Sequence, residues 1–123
     1  MEWEKDPIGK DCINLNTSLA RWLSDRLKFM YLHTTGWRLT DYFIKDAEGN
    51  IIKEESQEEY DRQFLNWRIE LDDTSISLKA YADMMEGKGS VDLFDESGKA
   101  EKISNDAKKA IQWVADNFNN LWD

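Results

Sequence analysis

Between Leu65 and Ala82 the apolar residues of this chain fall on every second position, and that alternation decides what fold is expected. Leu65, Trp67, Ile69 and Leu71 alternate with Asn66, Arg68, Glu70 and Asp72. Asp72-Asp73-Thr74 has the chemistry of a turn. Ile76, Leu78, Ala80 and Ala82 then alternate with Ser75, Ser77, Lys79 and Tyr81. Successive side chains of a strand point to opposite faces, so this pattern predicts a hairpin with one apolar and one largely polar face, part of an antiparallel sheet covered on one side.

The segments on either side are read to match. LTDYFIK and NIIKE flank DAEG, a turn signal, and predict an earlier hairpin. SVDLFD reads as a fifth strand after the loop MMEGKG, and AEKI as a short sixth. In NTSLARWLSDRLKFMYLHTTGW, Leu19, Trp22, Leu23, Leu27 and Met30 recur at helical spacing and predict a helix over 17–35. Asn16 or Thr17 serves as its cap. Gly36 serves as the left-handed residue that ends it, with Leu32 against Trp37. The last helix starts at a Ser104 cap with Asp106 in its first turn. It carries Ala107, Ile111, Val114, Phe118 and Leu121 on one stripe, joined by Ala110 and Trp122.

Between strands two and three, EESQEEYDRQFLNW places five carboxylates in eight positions. Ser56 and Glu59 form a capping box, Glu58 and Glu59 suit the positive end of a helix dipole, and Tyr60 and Phe64 share a face. A short helix over 57–63 follows. The expected fold is one α+β domain over residues 1–123 with an irregular segment at 1–15. It has a mainly antiparallel five- or six-stranded sheet, and the N- and C-terminal helices pack on one face of it.

A chain of 123 residues is expected to bury about two-thirds of its unfolded surface. MEWEKDPIGK lacks a cationic start followed by an apolar run, and no apolar run nears the roughly 20 residues needed to span a bilayer. Cys12 has no second cysteine to pair with. A reducing cytoplasm is therefore the expected location.

The net charge of −9 is unevenly placed. Residues 1–36 carry five acids and five bases, residues 37–66 eight and four, residues 67–103 nine and five, and residues 104–123 three and two. An acidic middle repels nucleic acid and anionic membrane and suits a basic protein partner.

Motifs for chemistry are sparse. His33 is the only histidine and lies far along the chain from Cys12; its place at a helix end, beside the last carbonyls, accounts for it better than a catalytic pair does. No CxxC or HxxxH spacing suggests zinc. Asp46, Glu48 and Asn50 resemble the start of a calcium loop, but Ile51 and Gln57 stand where that loop needs glycine and glutamate. GKGS at 87–90 is followed by a strand-like run, not by the helix a phosphate cradle requires. Asp41, between Leu39 and Phe43, is the one carboxylate to check for a raised pKa, and a strand edge is the simpler account of it. No catalytic residue, cofactor or metal is expected.

The expected function is therefore non-enzymatic protein binding. The first reading is a small acidic inhibitor of immunity type, whose negative surface occupies the positive cleft of a nuclease-like partner. Its contact residues are Glu54, Glu55, Glu58, Glu59 and Asp61, then Asp72 and Asp73, then Asp92, Asp95 and Glu96. Trp113, off the apolar stripe of the last helix, is the expected aromatic anchor, with Trp3 a second indole of the same kind. The alternative is an acidic secretion-chaperone-like dimer that holds an effector client in apolar grooves. An enzyme is the third reading, and it needs a deep pocket around Asp41 or His33 beside Cys12.

Overall fold

A computed structural model of the chain describes residues 5–34, 43–45, 48, 51–54 and 57–121. The elements are α1 (Pro7–Cys12), α2 (Leu15–His33), β1 (Phe43–Lys45), β2 (Ile51–Glu54), α3 (Gln57–Met85) and α4 (Lys99–Asp116), followed by a 3-10 turn at Phe118–Asn120. The five- or six-stranded sheet is not formed. Among the described residues, strand is confined to β1 and β2, an antiparallel ribbon at the first expected hairpin, which pairs Phe43 with Glu54, Ile44 with Lys53 and Lys45 with Ile51. The α+β architecture gives way to a helical layer in which α3 is the central member.

The alternating segment is the middle of α3. Its buried positions are Trp67, Leu71, Thr74, Ser75, Leu78 and Ala82, spaced four, three, one, three and four apart, which is the period of a helix. Two of these six are polar, so the buried stripe does not read as apolar. Leu65, Ile69 and Ile76 are exposed and complete a false alternation.

Asp72-Asp73-Thr74 is no turn. Asp72 pairs with Lys28 of α2 at 2.5 Å, while Thr74 is buried. From Gln57 to Glu86 there is neither glycine nor proline, so nothing breaks the helix. Glu58 and Glu59 in its first turn sit against the dipole's positive end, where they were expected. The capping partner Ser56 lies outside the described residues.

α3 ends at Gly87, in the left-handed region at φ 73°. Lys88 N–H donates to the Asp83 carbonyl at 2.8 Å and Gly87 N–H to the Met84 carbonyl at 3.2 Å, the paired bonds of a Schellman ending. The ending expected at Gly36, with Trp37, lies outside the described residues. α2 starts earlier than expected. Asn14, left-handed at φ 58°, precedes it, and its carbonyl accepts from Thr17 and Ser18 N–H, with no side-chain cap.

The segment expected to be irregular up to residue 15 holds α1, where the Asp6 carboxylate accepts from Ile8 and Gly9 N–H and Pro7 occupies the first helical position. The fifth strand is also absent: Ser90–Asp95 forms a turn, and α4 begins at Lys99, taking in the residues of the expected sixth strand.

α2 runs antiparallel to α3. Tyr31 carbonyl accepts from Arg68, Lys28 meets Asp72, and Arg21 meets Asp83 and Glu86. At the crossing Ser24 Oγ donates to the Ser75 carbonyl at 3.0 Å and Ser75 Oγ to the Ser24 carbonyl at 3.1 Å. Two small side chains let the backbones approach, and each hydroxyl satisfies its own burial cost on the other helix. Ala20, Leu27, Trp67, Leu71, Leu78, Ala82, Ala107 and Ala110 form the core, with Leu23, Met30, Tyr31, Phe64, Tyr81, Trp113, Val114 and Leu121 packed around it. Leu19 and Trp22, expected on the buried stripe of α2, are exposed instead.

The Arg21 clamp predicts a pH dependence. Its guanidinium, 2.6 Å from Asp83, holds that carboxyl below the usual aspartate range, and Lys79 adds to the effect. A depressed carboxyl stabilises the fold above its ordinary pKa, and this contribution is lost as pH falls through the lowered value. Arg21→Gln should cost about 0.5–1 kcal/mol at neutral pH in urea unfolding, for a partly exposed pair. The difference from wild type should close as pH falls below the ordinary aspartate range and through the lowered value.

Candidate functional site: an apolar groove and an acidic cleft

α2 and α4 each pack along α3 but barely meet one another. The space between them is a groove of about 510 Å³ lined by Asn16, Leu19 and Ala20 of α2, Leu78 and Tyr81 of α3, and Ser104, Ala107, Lys108 and Ile111 of α4. Its origin is visible in the residues. Two alanines, Ala20 and Ala107, stand where larger side chains would join the helices, and Leu78 forms the buried floor. Leu19 and Ile111 are partly exposed apolar rims. Asn16 Nδ2 donates to Tyr81 Oη at 2.6 Å and closes one end with polar groups.

On the other flank of α4 lies a shallower cleft of about 250 Å³, lined by Glu70, Asp73, Thr74, Ser77, Asp106, Lys109, Ala110 and Trp113. Trp113 stacks on Trp67 with ring centroids 5.1 Å apart, and its Nε1 donates to Glu70 Oε2 at 3.2 Å. Asp106 pairs with Lys102 at 2.6 Å.

The expected contact residues are therefore divided. Asp73 and Trp113 come together in the acidic cleft, joined by Glu70 and Asp106, which sequence reading did not select. Trp113 is half-buried in the α3–α4 packing. Asp72, one residue from Asp73, turns the other way and is engaged by Lys28. Glu58 and Asp61 are exposed on the first turns of α3, Glu59 is half-buried there, and Asp61 accepts from Gln57 Nε2 at 2.8 Å. Fifteen helical residues separate Glu58 from Asp73, a span of roughly 22 Å.

Asp92 accepts from Phe94 N–H at 2.8 Å, while Asp95 accepts from Ser97 N–H and Oγ, bonds that lower the Asp95 carboxyl. These two shape the α3–α4 connection. Glu96 is exposed beside them. Glu54 ends β2, and Glu55, Asp41, Trp3 and Trp122 lie outside the described residues, as do Asp46 and Asn50 of the calcium-like run.

Cys12 ends α1, ahead of the start of α2, and His33 ends α2, which is itself roughly 27 Å long. His33 is exposed, with its ring 4.2 Å from that of Phe29. Among the described residues no group of three His, Cys, Asp or Glu is placed to hold a metal ion, and no helix is long and apolar enough to cross a membrane. The signals for the groove residues were present but weak: Ala20, Ala107 and Ile111 sit at helical spacing within segments read as helices. No protein-family model, curated protein or solved structure matches this chain.

Proposed function

We propose that this chain is a non-enzymatic, cytoplasmic protein-interaction module whose docking surface is the groove between α2 and α4. Its partner is an amphipathic helical segment carrying basic residues beside its apolar face. The observation that carries this reading is the groove itself: a concave, mainly apolar channel between two parallel helices, the shape that receives the apolar ridge of a third. The net charge of −9 sets the character of the partner, since opposite charge on its flanks accelerates encounter and like charge is repelled.

Glu70, Asp73 and Asp106 beside Trp113 favour the inhibitor form of this function. They offer carboxylates and a ring edge to a lysine or arginine that reaches across α4. The client-holding form needs the groove alone. Salt separates the two: association that uses the cleft weakens steeply from low to high ionic strength, while association through the groove holds or strengthens.

The test is a titration of isotope-labelled protein with a synthetic amphipathic peptide, leucine on one helical face and lysine on the other. Amide shifts should concentrate at Ala20, Tyr81, Ser104, Ala107 and Ile111, and Ile111→Glu should weaken binding at least tenfold, about 1.4 kcal/mol. Shifts centred on Leu65, Ile69 and Ile76, or an unchanged affinity in Ile111→Glu, would overturn the reading.

A further inference from the structure

α2 is apolar on two faces. One, with Ala20, Ser24 and Leu27, is buried against α3. The other carries Leu15, Leu19, Trp22 and Phe29, all exposed, with Trp22 at 53% and Phe29 at 63%. Their spacing of four, three and seven is the seam of a coiled coil. Arg26 and His33 occupy the remaining seam positions. Each lies against an aromatic neighbour: the Arg26 guanidinium is 4.1 Å from the Trp22 ring centroid, and the His33 ring rests on Phe29. A solvent-facing helix has no need of a second seam.

We infer that this face pairs with the same face of a second copy, as an antiparallel dimer crossing at Trp22. Three observations select a second copy as the occupant. The three largest contacts of the seam are self-complementary, because Leu15 and Phe29 each lie seven residues from Trp22. A two-fold axis through Trp22 therefore sets Leu15 of one copy against Phe29 of the other.

The charge also fits. Residues 15–33 carry Arg21, Arg26 and Lys28 against the single acid Asp25, so two strongly acidic molecules meet on their least acidic element. The crossing places each Arg26 near Ser18 of the other copy and holds the two Arg26 residues about 12 Å apart along the axis.

The area is sufficient as well. Two copies of the exposed Leu15, Leu19, Trp22 and Phe29, with their polar shoulders, bring the pairing to the lower end of specific interfaces, about 1,200 Å² in total.

The dimer meets the proposed groove at Leu19 alone, which forms its rim, while Leu15, Trp22 and Phe29 do not line it. Sedimentation velocity across a concentration series to about 100 μM should show reversible dimer formation. Trp22→Glu should weaken the dimer at least tenfold with an unchanged circular dichroism spectrum, and Ile76→Glu, on the exposed side of α3, should leave it intact.

In a Cys12→Ser background, Trp22→Cys should cross-link to itself on mild oxidation. Leu15→Cys should cross-link to Phe29→Cys and not to itself. A monomer throughout the series, self-cross-linking of Leu15→Cys, or loss of the dimer in Ile76→Glu but not in Trp22→Glu would overturn the inference.

Discussion

Replacing Asp73 by proline should destabilise the protein by about 3 kcal/mol or more, a large part of the 5–15 kcal/mol available to a domain of this size. Asp73 is exposed and stands mid-way along α3. The substitution removes no core contact and acts through the backbone. Proline there lacks the N–H that bonds one turn back, and its ring meets the preceding carbonyl. Were residues 72–74 a hairpin turn, proline would be well tolerated, since its fixed φ suits the first central position. Asp73→Ala is the control and should fall within about 0.5 kcal/mol of wild type, because alanine favours a helix. Urea unfolding followed by far-UV circular dichroism reads all three proteins.

The second large effect separates residues that a strand would treat alike. Ile69 and Leu71 have the same parity and would share one face of a sheet, but α3 leaves Ile69 49% exposed and buries Leu71 completely. Leu71→Ala should cost about 3–4 kcal/mol, combining lost burial with the cavity left between α2 and α3. Ile69→Ala should change stability by less than about 0.5 kcal/mol. Equal costs at both positions would fit a half-buried strand and would contradict the helical packing.

How much of this was legible in the sequence differs from element to element. The N- and C-terminal helices and the first hairpin carry local signals and form, but α4 begins at Lys99 rather than at a Ser104 cap, and Phe118, expected on its stripe, is exposed in the 3-10 turn beyond it. α3 does not, because its buried stripe depends on a distant partner. Thr74 and Ser75 read as turn residues until Ser24 is placed opposite, and Asp72 reads as an exposed acid until Lys28 reaches it.

A local signal did exist. The absence of glycine and proline over Gln57–Glu86 argues for one continuous helix, but the β-branched Ile69, Thr74 and Ile76 lean toward strand and the alternation outweighed it. Gly87 within MMEGKG carries the signal of a loop, yet its position marks the helix end.

The site was legible in part for the same reason. Acid-rich segments can be counted from residues alone, but which acids face solvent follows from helix phase. Once 65–82 is helical, Asp72 and Asp73 diverge by 100°, and only Asp73 joins Trp113. The apolar groove was legible only as a general expectation of the alternative reading. Its place depends on Ala20 and Ala107 being too small to close α2 onto α4, a relation between segments about ninety residues apart.

Everything in the layout of groove, cleft and seam rests on α3 being a single rod from Gln57 to Met85. The most direct measurement is the ¹³Cα secondary chemical shift of each residue from 65 to 82. An unbroken helical series, with amide contacts between residues three apart running through 72–74, is the expected result. Extended-chain shifts on both sides of a break at Asp73 would contradict it and remove the groove together with the helix.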